Sequence, residues 1–269
     1  MKKVFLSSMI LLAVVACQPS DTERAQSLVA EAHDLVNNGQ WRQARIVLDS
    51  LHITYPKEVA QRRQAEALED SITYLEAQRT LGYVDTLLPP LLEQSDKLIK
   101  QFKYEKNEKY ESYGKYVHRL LATGSNTSRN FLQAYVRDDR QTILKSYYYG
   151  DIQVNQQSVT LSAAGETSTQ RGRNHHFQDG SHHEIMTLEN EAALALLNFV
   201  STHQSERIRV EGNGEKSTRN WVYYLNDKEK EALSATYQLG WLMKDITQLE
   251  QMQRVANAQV ARYHQKYGE

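Results

Sequence analysis

The chain has 269 residues, with 32 Lys and Arg against 33 Asp and Glu and a formal net charge of −1. A near-neutral chain carries no electrostatic footprint for nucleic acid, and its single cysteine excludes internal disulfides, Cys-ligated zinc and paired-cysteine redox chemistry. The length fits one large or two modest domains, and twelve glycines and four prolines leave few places for the chain to break.

Lys2 and Lys3 open the chain, Val4 to Ala16 is apolar apart from Ser7 and Ser8, and Val14-Val15-Ala16-Cys17 follows. About 13 apolar residues are too few to cross a bilayer as a helix, which needs about 20, so the run has the size of a signal-peptide core. These residues resemble a bacterial lipoprotein signal with its lipobox. That resemblance covers residues 1–17 and implies loss of residues 1–16 and acylation of Cys17 on its thiol and new amino group. Two or three acyl chains hold a protein on a membrane durably. Gln18, standing where Asp would retain such a protein at the inner membrane, implies the outer membrane. Loss of Lys2 and Lys3 takes the basic side chains to 30 against 33 acidic. Beyond Val15 no apolar stretch approaches 18 residues, so the body is expected to be soluble.

Residues 17–21 form a tether, and Ser20 or Asp21 is placed to cap a helix. Residues 22–121 are expected to be a helical arm. Ala25, Leu28, Val29, Ala32, Leu35 and Val36 recur at three and four, and Asn38-Gly39 stops that helix. Trp41, Ala44, Val47, Leu48 and Leu51 mark a second, ended by Tyr55-Pro56. Over 22–56 the pattern Leu28, Ala32, Leu35, Gly39, Trp41, Ala44, Leu48, Leu51, Pro56 resembles one tetratricopeptide repeat, and it equally describes an ordinary helical hairpin. No second copy follows 34 residues on, and a lone repeat must pack on its neighbours. Residues 57–121 are read as a long helix broken or kinked near Leu88 by Pro89-Pro90, with a solvated, Tyr-rich stretch from Lys100 to Lys115.

From 130 to 225 the apolar period falls to two, predicting an antiparallel β-rich module. Strands are expected at Leu132–Val136, Ile143–Tyr149, Ile152–Val154, Val159–Ala163, Glu184–Leu188 and Arg207–Val210. A helix is expected over 189–203, and Asn213-Gly214 is the predicted hairpin turn, with Trp221, Tyr223 and Leu225 facing one way on the returning strand. Residues 226–268 predict one long helix. Its seam Ala232, Ala235, Leu239, Leu242, Ile246, Leu249, Gln253, Ala256, Val260, Tyr263, Tyr267 calls for a coiled-coil-like partner. The arm residues Leu68, Ile72, Leu75 and Leu81 would supply it, making an α+β fold with a helical stalk; a second copy of the chain is the alternative.

Two residue groups are candidates for binding. His175, His176, His182 and His183 bracket Asp179-Gly180 and are spaced to hold a divalent metal, or else line the strand ends flanking a hairpin turn. Tyr147, Tyr148, Tyr149, Trp221 and Tyr223 would stack on a glycan, or pack in the core. His183-Glu184 lacks the second histidine of a zinc protease helix, because Thr187 stands there. Gly212 to Ser217 lacks the last glycine of a phosphate loop. No catalytic constellation is present, so the expectation is a non-enzymatic, cofactor-free envelope lipoprotein acting as a protein-interaction or assembly scaffold. The alternatives are glycan or peptidoglycan binding and metal binding.

Overall fold

The computed structural model describes residues 19–121, 128–216 and 220–268. The lipobox and Cys17 lie outside them. Three helices, α1 (Asp21–Asn37), α2 (Trp41–Thr54) and α3 (Val59–Ile99), lead into strands β1 (Phe102–Glu105), β2 (Lys115–His118), β3 (Phe131–Arg137), β4 (Thr142–Gly150), β5 (Gln156–Ala163), β6 (Glu166–Gln170), β7 (Arg173–Gln178) and β8 (His182–Glu189). Helix α4 (Glu191–Thr202), strands β9 (Arg209–Gly214) and β10 (Asn220–Tyr224), and helix α5 (Asp227–Tyr267) complete the chain. The fold is α+β as expected, with α5 packing on α3. Among the described residues no helix is long and apolar enough to cross a membrane.

Two compact units form, one from residues up to Thr80 with those from Val255, the other from Leu81 to Arg254. The division falls within α3 and within α5. In the first unit Ser20 caps α1 reciprocally. Its hydroxyl accepts from the Glu23 N–H at 3.3 Å, and the Glu23 carboxylate accepts from the Ser20 N–H at 2.7 Å. Val29 and Ala32 of α1, Ala44, Leu48 and Leu51 of α2, and Ala65 and Ile72 of α3 make one apolar cluster. Arg45 of α2 reaches Glu76 of α3 at 2.9 Å. The tail of α5 joins the same unit, Tyr263 stacking on Tyr74 at 4.4 Å while Tyr267 donates to Asp70 at 2.8 Å.

In the second unit all strand pairs are antiparallel. A six-stranded sheet runs β1-β2-β3-β4-β8-β7 and a four-stranded sheet runs β10-β9-β5-β6. Leu132, Leu144, Met186 and Leu188 of the larger sheet, Val159, Leu161 and Val210 of the smaller, and Leu196, Leu197 and Val200 of α4 share one core. A second core joins Leu239, Leu242 and Ile246 of α5 to Leu88, Leu91 and Leu98 of α3 and to Phe102 and Val136 of the sheet. From Ala232 to Leu249 the heptad seam is buried, with both helix and sheet as its partners, whereas Tyr267 at its far end is exposed.

Several expectations fail for identifiable reasons. Helix α3 ends at Ile99, and 102–105 and 115–118 pair as strands with Phe102 opposite His118. The dense Lys and Glu there suit a solvated helix equally well, and among the apolar side chains of these two strands only Phe102 and Val117 are buried. Pro89-Pro90 does not end α3. The carbonyls whose helical donors those prolines remove belong to Asp85 and Thr86, both on an exposed surface where desolvation does not penalise them. Ile152–Val154 is a connection, not a strand. Asn213 and Gly214 lie inside β9, Asn213 opposite Asn220, because the Asn213 amide donates to the hydroxyls of Ser158 and Thr160 at 3.1 and 2.9 Å. β6 and β7 are too polar to show as strands. Their clearest local mark is Ala164-Gly165, both at positive φ, the signature of a two-residue hairpin turn.

Two tests follow from this packing. Leu242→Ala should destabilise the protein by about 2–5 kcal/mol, and Leu242→Lys by more, read as a lowered urea midpoint. His118 is buried, its Nδ1 accepting from the Leu120 N–H at 3.3 Å, and burial pushes its pKa below the usual 6.5. Folding thus favours the neutral ring. Its contribution is present above pH 6.5 and is lost as pH falls through the depressed folded value. Denaturation midpoints should fall below pH 6.5 in the native protein and fall less in His118→Gln.

Candidate binding face of the six-stranded sheet

Strand side chains alternate between faces, and the register of the larger sheet sorts them without ambiguity. Leu132, Ala134, Val136, Leu144, Tyr148, Met186 and Leu188 face inward, and every strand residue of this sheet found in the apolar cores lies on that side. The outer face carries Lys115, Tyr135, Phe131, Lys145, Tyr147, Tyr149, Ile185, His183 and Phe177. No helix joins an apolar core on this side among the described residues.

The outer face is aromatic and cationic. Phe131 and Tyr147, cross-strand partners, stack at 4.3 Å and 5°. The Arg129 guanidinium lies 5.2 Å from the Phe131 ring. Tyr135 sits between two ammonium groups, Lys115 at 5.7 Å and Lys145 at 5.8 Å from its ring centre. Arg137 lies over Tyr113 at 4.2 Å. Such pairs hold a cation near an aromatic face at low conformational cost. Burial pushes the Tyr135 hydroxyl up to about 12, so it stays protonated and can donate. Burial first, and Lys115 second, push the Lys145 pKa down. No ion pair to Lys145 is present among the described residues, whereas Lys115 has Glu111 at 3.3 Å. Glu111, Ser112, Tyr113, Lys115, Tyr135 and Arg137 line a cavity of about 290 Å³ at this edge of the face. It offers aromatic edges and a protonated phenol beside two ion-paired cations, Lys115 with Glu111 and Arg137 with Asp139, while Lys145 lies on the other side of the Tyr135 ring.

The structure divides the four histidines. His176 and His182 share the inward side and touch through ring nitrogens at 3.0 Å. His175 and His183 lie on the outer face, where His183 meets Asp179 at 2.7 Å and stacks on Phe177 at 4.5 Å. The strand alternation that brackets Asp179-Gly180 thus sends them to opposite sides, and the four do not converge on one ion. Among the described residues no three His, Cys, Asp or Glu side chains group as metal ligands.

The aromatics divide as well. Trp221 is 6 % exposed and stacks between Tyr148 at 6.2 Å and Tyr223 at 5.8 Å within the core. A Cβ on Gly212 would overlap its indole, so glycine there makes room for the ring. Burial pushes the Tyr223 hydroxyl well above the ordinary phenol range. Trp221, Tyr148 and Tyr223 therefore form no glycan platform. Tyr147 and Tyr149 do reach the outer face. Sequence reasoning missed Phe131, Tyr135 and Lys145, although the odd positions alternating with Leu132, Ala134 and Val136 were the available signal.

The residue after His183 is a fully enclosed carboxylate. Glu184 is fully buried and accepts the N–H groups of Val154 at 2.6 Å, Asn155 at 2.7 Å and Gln156 at 2.7 Å, and the Asn174 amide at 2.8 Å. Successive N–H groups converge because Asn155 has φ 56°, the left-handed conformation that makes a backbone anion nest. The chain's own side chain fills that nest, so it is structural. A second cavity of about 610 Å³ is lined by Arg140, Asn190, Glu191, Gly240 and Lys244 among others. Its cations have partners: Arg140 has Glu250 at 2.5 Å, Lys244 has Glu191 at 2.6 Å, and Arg254 donates to the Gln251 amide oxygen at 2.5 Å.

Glu184→Gln must turn a donor toward donors and should cost about 2 kcal/mol or more. Chemical denaturation reads the loss, and amide exchange at Val154, Asn155 and Gln156 should accelerate. Comparison with family models, characterised proteins and solved structures finds no significant match to this chain.

Proposed function

We propose that this chain is an envelope lipoprotein, anchored through acylated Cys17, whose β-rich unit binds other proteins without catalysis, as a scaffold or assembly accessory. The lipobox residues and Gln18 support anchoring at the outer membrane. The observation that carries the binding role is the outer face of the six-stranded sheet, where Phe131, Tyr135, Tyr147 and Lys145 lie together and, among the described residues, no helix joins an apolar core. Tyrosine and arginine are the residues that protein interfaces concentrate, because rigid rings with polar tips lose little entropy on binding.

The ring geometry favours protein over glycan. Sugars stack on free ring faces, but Phe131 and Tyr147 cover one another, and Arg129 lies over Phe131. What remains outward is ring edge, the Lys145 ammonium and the Tyr135 hydroxyl, which suits a carboxylate-bearing peptide. The division of the histidines between two faces removes the motive for the metal reading.

A photo-crosslinking residue in place of Tyr147 tests this in cells making the acylated protein. The expected result is a discrete protein adduct in the membrane fraction that weakens at least tenfold when Lys145→Glu is added, with the fold unchanged by circular dichroism. Adducts to glycan alone, or none, would sink the reading. Cys17→Ser should release the protein from membranes, and persistence of fatty-acid labelling in that variant would refute the anchor.

A further inference from the structure

The first unit has one end at which three things meet. Helix α1 begins there at Asp21, α2 finishes at Thr54, and α3 starts at Val59. The Thr22 hydroxyl donates to Glu58 at 2.9 Å, which fixes the start of α1 beside the turn from α2 to α3. The Arg62 guanidinium donates to the Pro56 carbonyl at 3.1 Å and closes that turn. At this end sit Ile53, 80 % exposed and the barest large apolar side chain among the described residues, and Val59, 55 % exposed. Lys57 stands exposed between them.

An apolar pair in water at the end of a capped, well-packed hairpin has no role in the core beneath it. Leu48 and Leu51 already fill that core from the opposite side of α2. Position in the chain supplies the occupant. Cys17 precedes Asp21 by four residues, which span at most about 14 Å. If Cys17 carries acyl chains, the start of α1 is held within that distance of the lipid, and Ile53 and Val59 are held there with it.

We infer that this end of the hairpin seats on the lipid surface, with Ile53 and Val59 entering the interface and Lys57 meeting phosphate headgroups. The inference rests on the acylation of Cys17 proposed above. Interfacial apolar groups enter about 5–10 Å. Ile46, also exposed on α2 but seven residues earlier, lies about 10 Å farther along the helix axis and stays in water. Acyl chains alone leave a protein free to tumble on its tether; a second contact restricts that rotation.

The experiment uses the full acylated chain in vesicles of phosphatidylethanolamine and phosphatidylglycerol. Acylation blocks the one native thiol, so Ile53→Cys, Val59→Cys or Ile46→Cys each takes a single environment-sensitive fluorophore. The expected result is emission shifted to shorter wavelength and quenched by nitroxide-labelled phospholipid at 53 and 59, with a water-like, unquenched probe at 46. A water-like probe at 53 on vesicle-bound protein overturns the inference. So does equal quenching at 46 and 53, which would lay α2 flat. A shifted but unquenched signal at 53 would mean a protein, such as a second copy, covers the site, and overturns it too. Mass spectrometry of the N-terminal peptide separates the two levels: a peptide without acyl chains fails the anchor, and this seat with it.

Discussion

One buried carboxylate ties the β-rich unit together. Glu184, on β8 of the larger sheet, takes three consecutive backbone N–H groups from the segment that begins β5 of the smaller sheet. It also takes the Asn174 amide from β7. Gln156, at the same junction, accepts from Ser146 of β4 at 3.2 Å. A charge enclosed this completely is tolerable only when its lone pairs are all used. Its side chain sets the path of residues 152–156, and that path sets where β5 starts. The register of β5 against β9, and with it the packing of Leu161 and Val210 on α4, follows from that start.

The helices and the apolar strands were legible in the sequence because burial imposes a period. Ala25, Val29 and Ala32, or Leu239, Leu242 and Ile246, repeat at three and four, and each such residue is buried. β3, β4, β5 and β8 likewise showed their inward residues at alternate positions. β6, β7 and β1 were not legible, because an edge strand buries little and writes little apolar period into its sequence. The Asn213-Gly214 turn was misplaced for a different reason. Local turn chemistry competes with hydrogen bonds to Ser158 and Thr160, more than fifty residues away, and no window around Asn213 contains them.

The outer face was half legible. Tyr147 and Tyr149 stand out as part of an aromatic run, but so does Tyr148, and only the register shows that it points the other way into the core. Phe131, Tyr135 and Lys145 become neighbours by strand pairing across β3 and β4. Nothing in their separation along the chain marks that proximity. The histidines illustrate the converse, since nearness in sequence across a hairpin distributes side chains alternately to two sides.

The edges of the two sheets differ in a way that constrains how molecules of this kind meet. The polar character that hid β6 and β7 from sequence reading is also a barrier to strand addition. β6 offers Glu166, Thr167, Ser168, Thr169 and Gln170, β7 offers Arg173 and two imidazoles, and β1 carries Lys103 and Glu105. On β10, which lacks charged residues, the Arg207 guanidinium stacks on Tyr224 at 3.8 Å. Chains crowded side by side would thus find poor templates for joining backbone to backbone. Such a molecule can be present at high density without its sheets fusing edge to edge.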